Sequence, residues 1–215
     1  ERITVMSTGI GTENIDIVMN ELDALVNIDL DKKEFKKEHT ALQLFRLGTC
    51  GSVNPDVEVD NMLVSENVVG LDGLLHFYID YDFENEFSKN FLEKFPYEKI
   101  KPLLYFSEWT ASQYEYFKDA KYVGNTATFP GFYAPQGRQL RLKSTDDQFL
   151  EVLNDLGVTN FEMETSAIYG LSKLLGHKAI TINNVIANRR RGEFAADHHQ
   201  SEKMMIEWVL ERVIK

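Results

Sequence analysis

Cysteine is nearly missing from this chain: Cys50 stands alone. One thiol cannot form an intrachain disulfide, so the core must hold the fold, and a reducing compartment is the natural setting. Positive charge is scarce too, with 23 Lys and Arg against 34 Asp and Glu and a formal charge of −11. Such a field repels a phosphate backbone, which argues against nucleic acid as a partner but leaves room for one small phosphorylated molecule held by local arginines. Apolar runs stay well short of the roughly eighteen residues that span a bilayer, and no leader of basic then apolar residues is seen. A soluble, cytosolic protein with no membrane partner is therefore expected. Internal repeats and low-complexity tracts are also missing. What is present is 215 residues with 43% apolar side chains, enough for a single domain over 1–215 with a sizeable core.

Strand and helix patterns alternate along this length. Ile3 to Met6 reads as a strand, followed by the turn STGIG from Ser7 to Gly11. Ile15, Val18, Met19, Leu22, Leu25 and Val26 then recur at the spacing of an amphipathic helix. After a charged stretch from Asp29 to His39, Leu42 to Leu47 reads as a strand ending in the glycine turn GTCG, with a loop at Asn54-Pro55. The run MLVSENVVGLDG suggests more strand. Helices are expected over 84–95 and 107–120, and a strand over 122–129. Thr145 with Gln148 forms a capping box for a helix whose stripe is Phe149, Leu150, Leu153 and Leu156, stopped by Gly157. A short strand, Thr159 to Phe161, leads to a helix bearing Ala167, Leu171, Leu174 and Leu175 that Gly176 ends. A strand from Ala179 to Ala187 and a helix presenting Met205, Trp208, Val209 and Val213 follow. The pattern predicts an α/β layered fold with a largely buried sheet.

Several segments carry side chains suited to chemistry. Arg46, read at a strand end before a glycine turn, could join the hydroxyl of Thr49 and the turn's N–H groups in an anion site; the alternative is an arginine paired with a nearby carboxylate. STGIG lacks the third glycine of a dinucleotide fingerprint and can equally be a tight turn. In GFYAPQGR, Phe132 and Tyr133 offer ring faces while Gln136 and Arg138 offer an amide and a charged fork, the set that a planar heterocycle with a polar rim requires. The alternative is a surface loop whose aromatics cover a core edge. FEMETS sets Glu162 and Glu164 on either side of Met163, where a helix start would turn one of them aside. Glu164 can then clamp a cis-diol, with Met163 against the sugar, or merely complement the helix dipole. The five histidines show no metal-ligand spacing, and the side chains of His198 and His199 are not expected to share a helix face. No metal site is expected. Arg189-Arg190-Arg191 reads as a solvated face, although Arg189 directly follows a strand and could point inward.

In order along the chain, STGIG, FRLGTCGSV, VGLDGLLHF, FYAPQGR, NFEMETSA and IANR resemble the uridine phosphorylases of the nucleoside phosphorylase superfamily. The resemblance spans nearly the whole sequence. It implies a three-layer α/β/α sandwich around a mixed sheet, and reversible phosphorolysis of uridine to uracil and ribose 1-phosphate without a cofactor. By motif, Arg46 and Thr49 correspond to phosphate ligands and Met163 and Glu164 to ribose contacts. Phe132, Gln136 and Arg138 correspond to the uracil set, with Ile186 and Ala187 along the base and Arg189 near it. Purine-cleaving relatives carry an acid in the strand-end segment, whereas Asn184 to Arg189 has none, which favours a pyrimidine. The resemblance further implies a first strand, a Gly-Asp-Pro phosphate loop and completing arginines upstream of Glu1. Dimers, or hexamers built of dimers, and a monovalent cation near Ser7 at their interface are implied in the same way. A hydrolase of the same fold and a catalytically inert nucleoside-binding module are the competing readings.

Overall fold

The computed structural model describes residues 3–79, 81–144 and 146–214. Helix α1 (Thr12–Asn27) precedes a hairpin of β1 (Ile28–Asp29) and β2 (Glu34–Phe35), then the long strands β3 (Gln43–Ser52) and β4 (Met62–Gly70). Helix α2 (Glu86–Lys94), strand β5 (Tyr105–Glu108), the single turn α3 (Ala111–Tyr114) and strand β6 (Tyr122–Thr128) form the middle. The remainder is α4 (Phe149–Asp155), β7 (Val158–Glu162), α5 (Thr165–Leu175), β8 (Lys178–Asn188), β9 (Glu193–Phe194) and α6 (His198–Val213).

The main sheet runs β5-β4-β6-β7-β3-β8-β9 and is mixed. Strand β3 is parallel to β8 but antiparallel to β7, which is parallel to β6. Antiparallel pairing of Met62–Ser65 with Thr181–Asn184 brings β8 back to β4, so the sheet curls round on itself. Alternation along β8 sorts the layers. Ala179 packs with Ile15 and Met19 of α1 and Leu171 of α5, while Ile180 and Ile182 pack with Met205 and Val209 of α6. Along β4, Val68 joins the α1 and α5 side, and Val69 joins Phe91, Phe129 and Phe161 on the other. Helices thus cover both faces of the sheet, giving the expected three layers. Each fully buried Phe contributes roughly 1.5–3 kcal/mol through removal from water. Among the described residues, no helix is long and apolar enough to cross a membrane.

Five local expectations need correction. Ile3–Met6 forms no strand: Val5 is 88% exposed, and no described segment offers it a ladder. GTCG is not a turn, because β3 runs through it. Its glycines are there for space. A Cβ at Gly48 would lie 2.4 Å from the Arg46 guanidinium, and one at Gly51 would lie 2.5 Å from the Phe161 ring. Within 107–120 the chain first finishes β5, whose residues pair with Asn67–Gly70 of β4, so only one α-turn and a short 3₁₀ turn remain. Thr145 of the capping box lies outside the described residues, and Gln148 makes no side-chain cap; its N–H donates to Asp146 Oδ1 at 2.7 Å. Finally, the rings of His198 and His199 do meet, with centroids 4.1 Å apart, because they open the first turn of α6 just after its N-cap Asp197.

Gly51→Ala should lower stability by about 1–3 kcal/mol, since the Phe161 ring is packed edge-on to Phe129 and has no free space behind it. A drop in the thermal midpoint checks this. An unchanged midpoint would mean that the ring can retreat.

Candidate active site

The guanidinium of Arg46 lies over Gly48, in the space that the missing side chain leaves. Its Nη1 donates to Asn183 Oδ1 on β8 at 2.7 Å. Its Nη2 donates to Glu164 Oε2 and stands 3.1 Å from Glu162 Oε2. Both carboxylates therefore converge on one guanidinium, contrary to the expectation that the helix start would turn one of them aside. The reason is local: β7 ends at Glu162 and α5 starts only at Thr165, so Glu164 sits in a bend before the first helical turn and its carboxylate still reaches Arg46.

Glu162, rather than Glu164, complements the N-terminus of α5. It accepts the N–H groups of Glu164 and Thr165, each at 2.9 Å, and the hydroxyl of Thr128 at 2.7 Å. Glu164 spends its second oxygen on the N–H of Gly11 at 2.8 Å, which ties the STGIG turn and the start of α1 to the cluster. Burial, then the neighbouring Glu162, raise the Glu164 carboxyl above its ordinary value, and Arg46 only partly offsets this. Burial also opposes the charge of Arg46, but the two carboxylates outweigh it and hold the guanidinium ionised. Arg46 is thus an ion-paired arginine whose partner, Glu164, is also the residue expected to hold a diol.

A second group forms in the loop after β6. Arg138 stacks on the Phe132 ring with 3.8 Å between Cζ and the centroid, donates to Phe132 O at 2.8 Å and bonds Gln136 Oε1. Gln136 is buried, whereas Phe132 and Tyr133 are 51% and 55% exposed, so these aromatics do not cover a core edge. Burial, then the charge of Arg189, lower the pKa of Arg138. Two guanidinium groups therefore share this end of the molecule. In the triple-arginine run, Arg190 pairs with Glu151 and Arg191 with Glu193 at the surface, while half-buried Arg189 fixes its N–H on Ser52 O at 2.9 Å. Ile186 and Ala187 lie on β8, Ala187 opposite Gly51, and Met163 is half-buried between the two glutamates.

Thr49 is not joined to Arg46. Three residues along a continuous strand reverse the face, and its β8 neighbour Asn184 turns towards α6, donating to Ser201 Oγ at 2.9 Å. The glycine turn whose N–H groups were expected to join Arg46 and Thr49 around an anion is not made, because β3 runs through it. Cys50 is buried and its thiol is pushed up to about 12 by that burial, which leaves it inert.

Spacing in the sequence hid one further cluster: Asp23, His39 and His177 offer ligand atoms within 4.8 Å of one another. Leu42 N–H donates to His177 Nδ1 at 3.3 Å, which places the ring proton on Nε2, 3.3 Å from Asp23 Oδ1. That tautomer suits a histidine–carboxylate pair and leaves Nε2 no lone pair for a metal. Nearby, a concavity of about 340 Å³ lined by Trp109, Tyr169, Lys173 and His177 sits at the amino end of β8.

The chain is 26% identical to a uridine phosphorylase of Thermococcus kodakarensis over 96% of its length and 68% of that protein's. It is also 26% identical to a DeoD-type purine nucleoside phosphorylase of Shewanella loihica, over 99% of its length and 75% of that protein's. The chain thus spans about two thirds to three quarters of these relatives. A crystal structure of a Trypanosoma brucei nucleoside phosphorylase, described as showing uridine phosphorylase activity, superimposes with a TM-score of 0.79 at 27% identity, covering 97% of this chain and 78% of that one. The Phosphorylase superfamily profile matches residues 1–215, so the sheet that curls back on itself and the Arg46–Glu164 cluster within it belong to a member of that superfamily.

Proposed function

We propose that the protein catalyses the reversible phosphorolysis of uridine to uracil and ribose 1-phosphate. One observation carries the choice of base: Arg138 stacked on Phe132 and bonded to the buried Gln136, with Arg189 at the end of β8 and no acid among Asn184 to Arg189. Negative charge grows on a departing uracil, and two guanidinium groups beside a buried amide stabilise that charge where it develops. A departing purine is instead helped by a proton, for which Asn184 to Arg189 supplies no acid. Glu164 accepts the two hydroxyls of the ribose, with Met163 against the sugar. Arg46, relieved of Glu164, holds the attacking phosphate opposite the base, so that positioning supplies much of the rate. Neither a metal nor an organic cofactor is called for. Exposed Phe77 and Ile79, 88% and 87% accessible, support assembly with a second copy.

Uridine and inosine supplied separately with phosphate to the full-length protein test the base assignment. Uridine should be cleaved and inosine spared, and Arg138→Ala should slow uridine cleavage by about 2–4 kcal/mol of transition-state stabilisation with little change in phosphate affinity. Preferential cleavage of inosine, or normal uridine kinetics in the variant, would reject the assignment.

A further inference from the structure

Glu162 has no part in the reaction just described, yet it makes more directed contacts than any other side chain of the cluster. Its side chain is 1% exposed. Thr128 Oγ1, Glu164 N and Thr165 N all donate to it, and Thr128 Oγ1 in turn accepts Ser166 N–H at 3.0 Å. The carboxylate is thereby fixed to three consecutive backbone N–H groups, two directly and one through Thr128. It cannot swing away, whereas Glu164 has one backbone donor, from a loop glycine. Two carboxylates thus face a single guanidinium nitrogen, and Glu162 is the more firmly anchored of them.

We propose that Glu162 is a positioning residue: a fixed carboxylate that holds Arg46 in place and repels Glu164, so that Glu164 is readily drawn from Arg46 to a ribose diol. This rests on the function proposed above. A lone Arg46–Glu164 pair, desolvated and well aligned, would resist opening. The second, immobile carboxylate keeps Arg46 oriented when Glu164 leaves and weakens the bond that must break. Other groups cannot substitute for it. Among the described residues of α1, Glu13 of the first turn lies beside Gly11 and makes no bond to Arg46. From β8, Asn183 is neutral. From α5, the Tyr169 hydroxyl is held between Ser65 O and Thr181 N, and Cys50 of β3 is an inert thiol.

Titration of the Glu164 carboxyl carbon, followed by ¹³C NMR in the full chain labelled at glutamate and assigned with Glu164→Gln, tests the repulsion directly. Glu162→Gln keeps the size and an acceptor oxygen but removes the charge. The Glu164 midpoint should fall by about one pH unit, because the nearest like charge has gone. The acid limb of kcat/KM for uridine should move down with it, while phosphate KM rises. A midpoint that stays in place, or moves up, overturns the proposal. If wild-type protein releases no uracil but the midpoint falls as expected, the substrate assignment fails and the coupling stands. Should Glu162→Gln not fold, Thr128→Val takes its place: it leaves Ser166 N–H without its acceptor and so lowers the thermal midpoint, and measured below that midpoint it should lower kcat several-fold, with Thr128→Ser restoring both. Equal kcat in the valine and serine variants would likewise overturn the proposal.

Discussion

Arg46→Ala should destabilise the fold and remove the response to phosphate together. Its side chain is only 13% exposed, and its loss leaves Glu162 and Glu164 buried side by side with no counter-charge. Breaking a buried pair from one side costs about 3–5 kcal/mol. The loss should depend on pH, and its sign is fixed. Glu164 already binds its proton more tightly in the folded chain than an ordinary carboxyl does, and the variant strengthens that preference. A raised carboxyl contributes stability below its unfolded value, near 4.3, and that contribution disappears as pH rises through the folded value. The variant should therefore be weakest at neutral and alkaline pH and recover part of the loss on mild acidification. Denaturant unfolding across pH measures this. In the assay, the apparent phosphate requirement should rise steeply while uracil binding changes little, because Arg138 and Gln136 lie in a separate loop. A variant with wild-type stability at every pH would mean that the two carboxylates find other partners.

Glu164→Ala should cripple uridine cleavage and affect 2′-deoxyuridine less. A carboxylate bonded to both ribose hydroxyls loses two charge-assisted hydrogen bonds with uridine, each worth about 1.5–3 kcal/mol, but only one with the deoxy substrate. Comparing both proteins on both substrates isolates the 2′-hydroxyl contact. The prediction separates two roles that FEMETS left open. Since Glu162 already satisfies the N–H groups at the start of α5, removing Glu164 should not unravel that helix. Equal losses on both substrates, with a lower thermal midpoint, would return Glu164 to a structural role.

Periodicity made the helices readable: the stripe from Ile15 to Met19, and Gly176 as the left-handed stop of α5 at φ +72°, are local properties. The site was legible residue by residue but not as a geometry. Gly48 and Gly51 look like turn residues because a turn and a close packing contact both require the same missing Cβ, and only the positions of Arg46 and Phe161 decide between them. Reading GTCG as a turn set Thr49 beside Arg46 and left the arginine–carboxylate pair as the alternative rather than the expectation. Asn183 and Thr128 carried no signal, since their roles come from strand neighbours far away in sequence: Gly48 lies beside Asn183, and Thr128 beside Glu162. His39 and His177 stand 138 residues apart (177 − 39), and Asp23 lies on yet another element, so no spacing rule could join them.

Phosphate dependence of uracil release from uridine, measured with the full-length protein, bears most directly on the central claim that Arg46 and Glu164 serve phosphorolysis. Uracil should appear only when phosphate or arsenate is supplied, with ribose 1-phosphate formed in equal amount in the phosphate reaction. Uracil and free ribose formed without phosphate would contradict the claim in favour of a hydrolase, and nucleoside binding with no cleavage under either condition would contradict it in favour of a binding module.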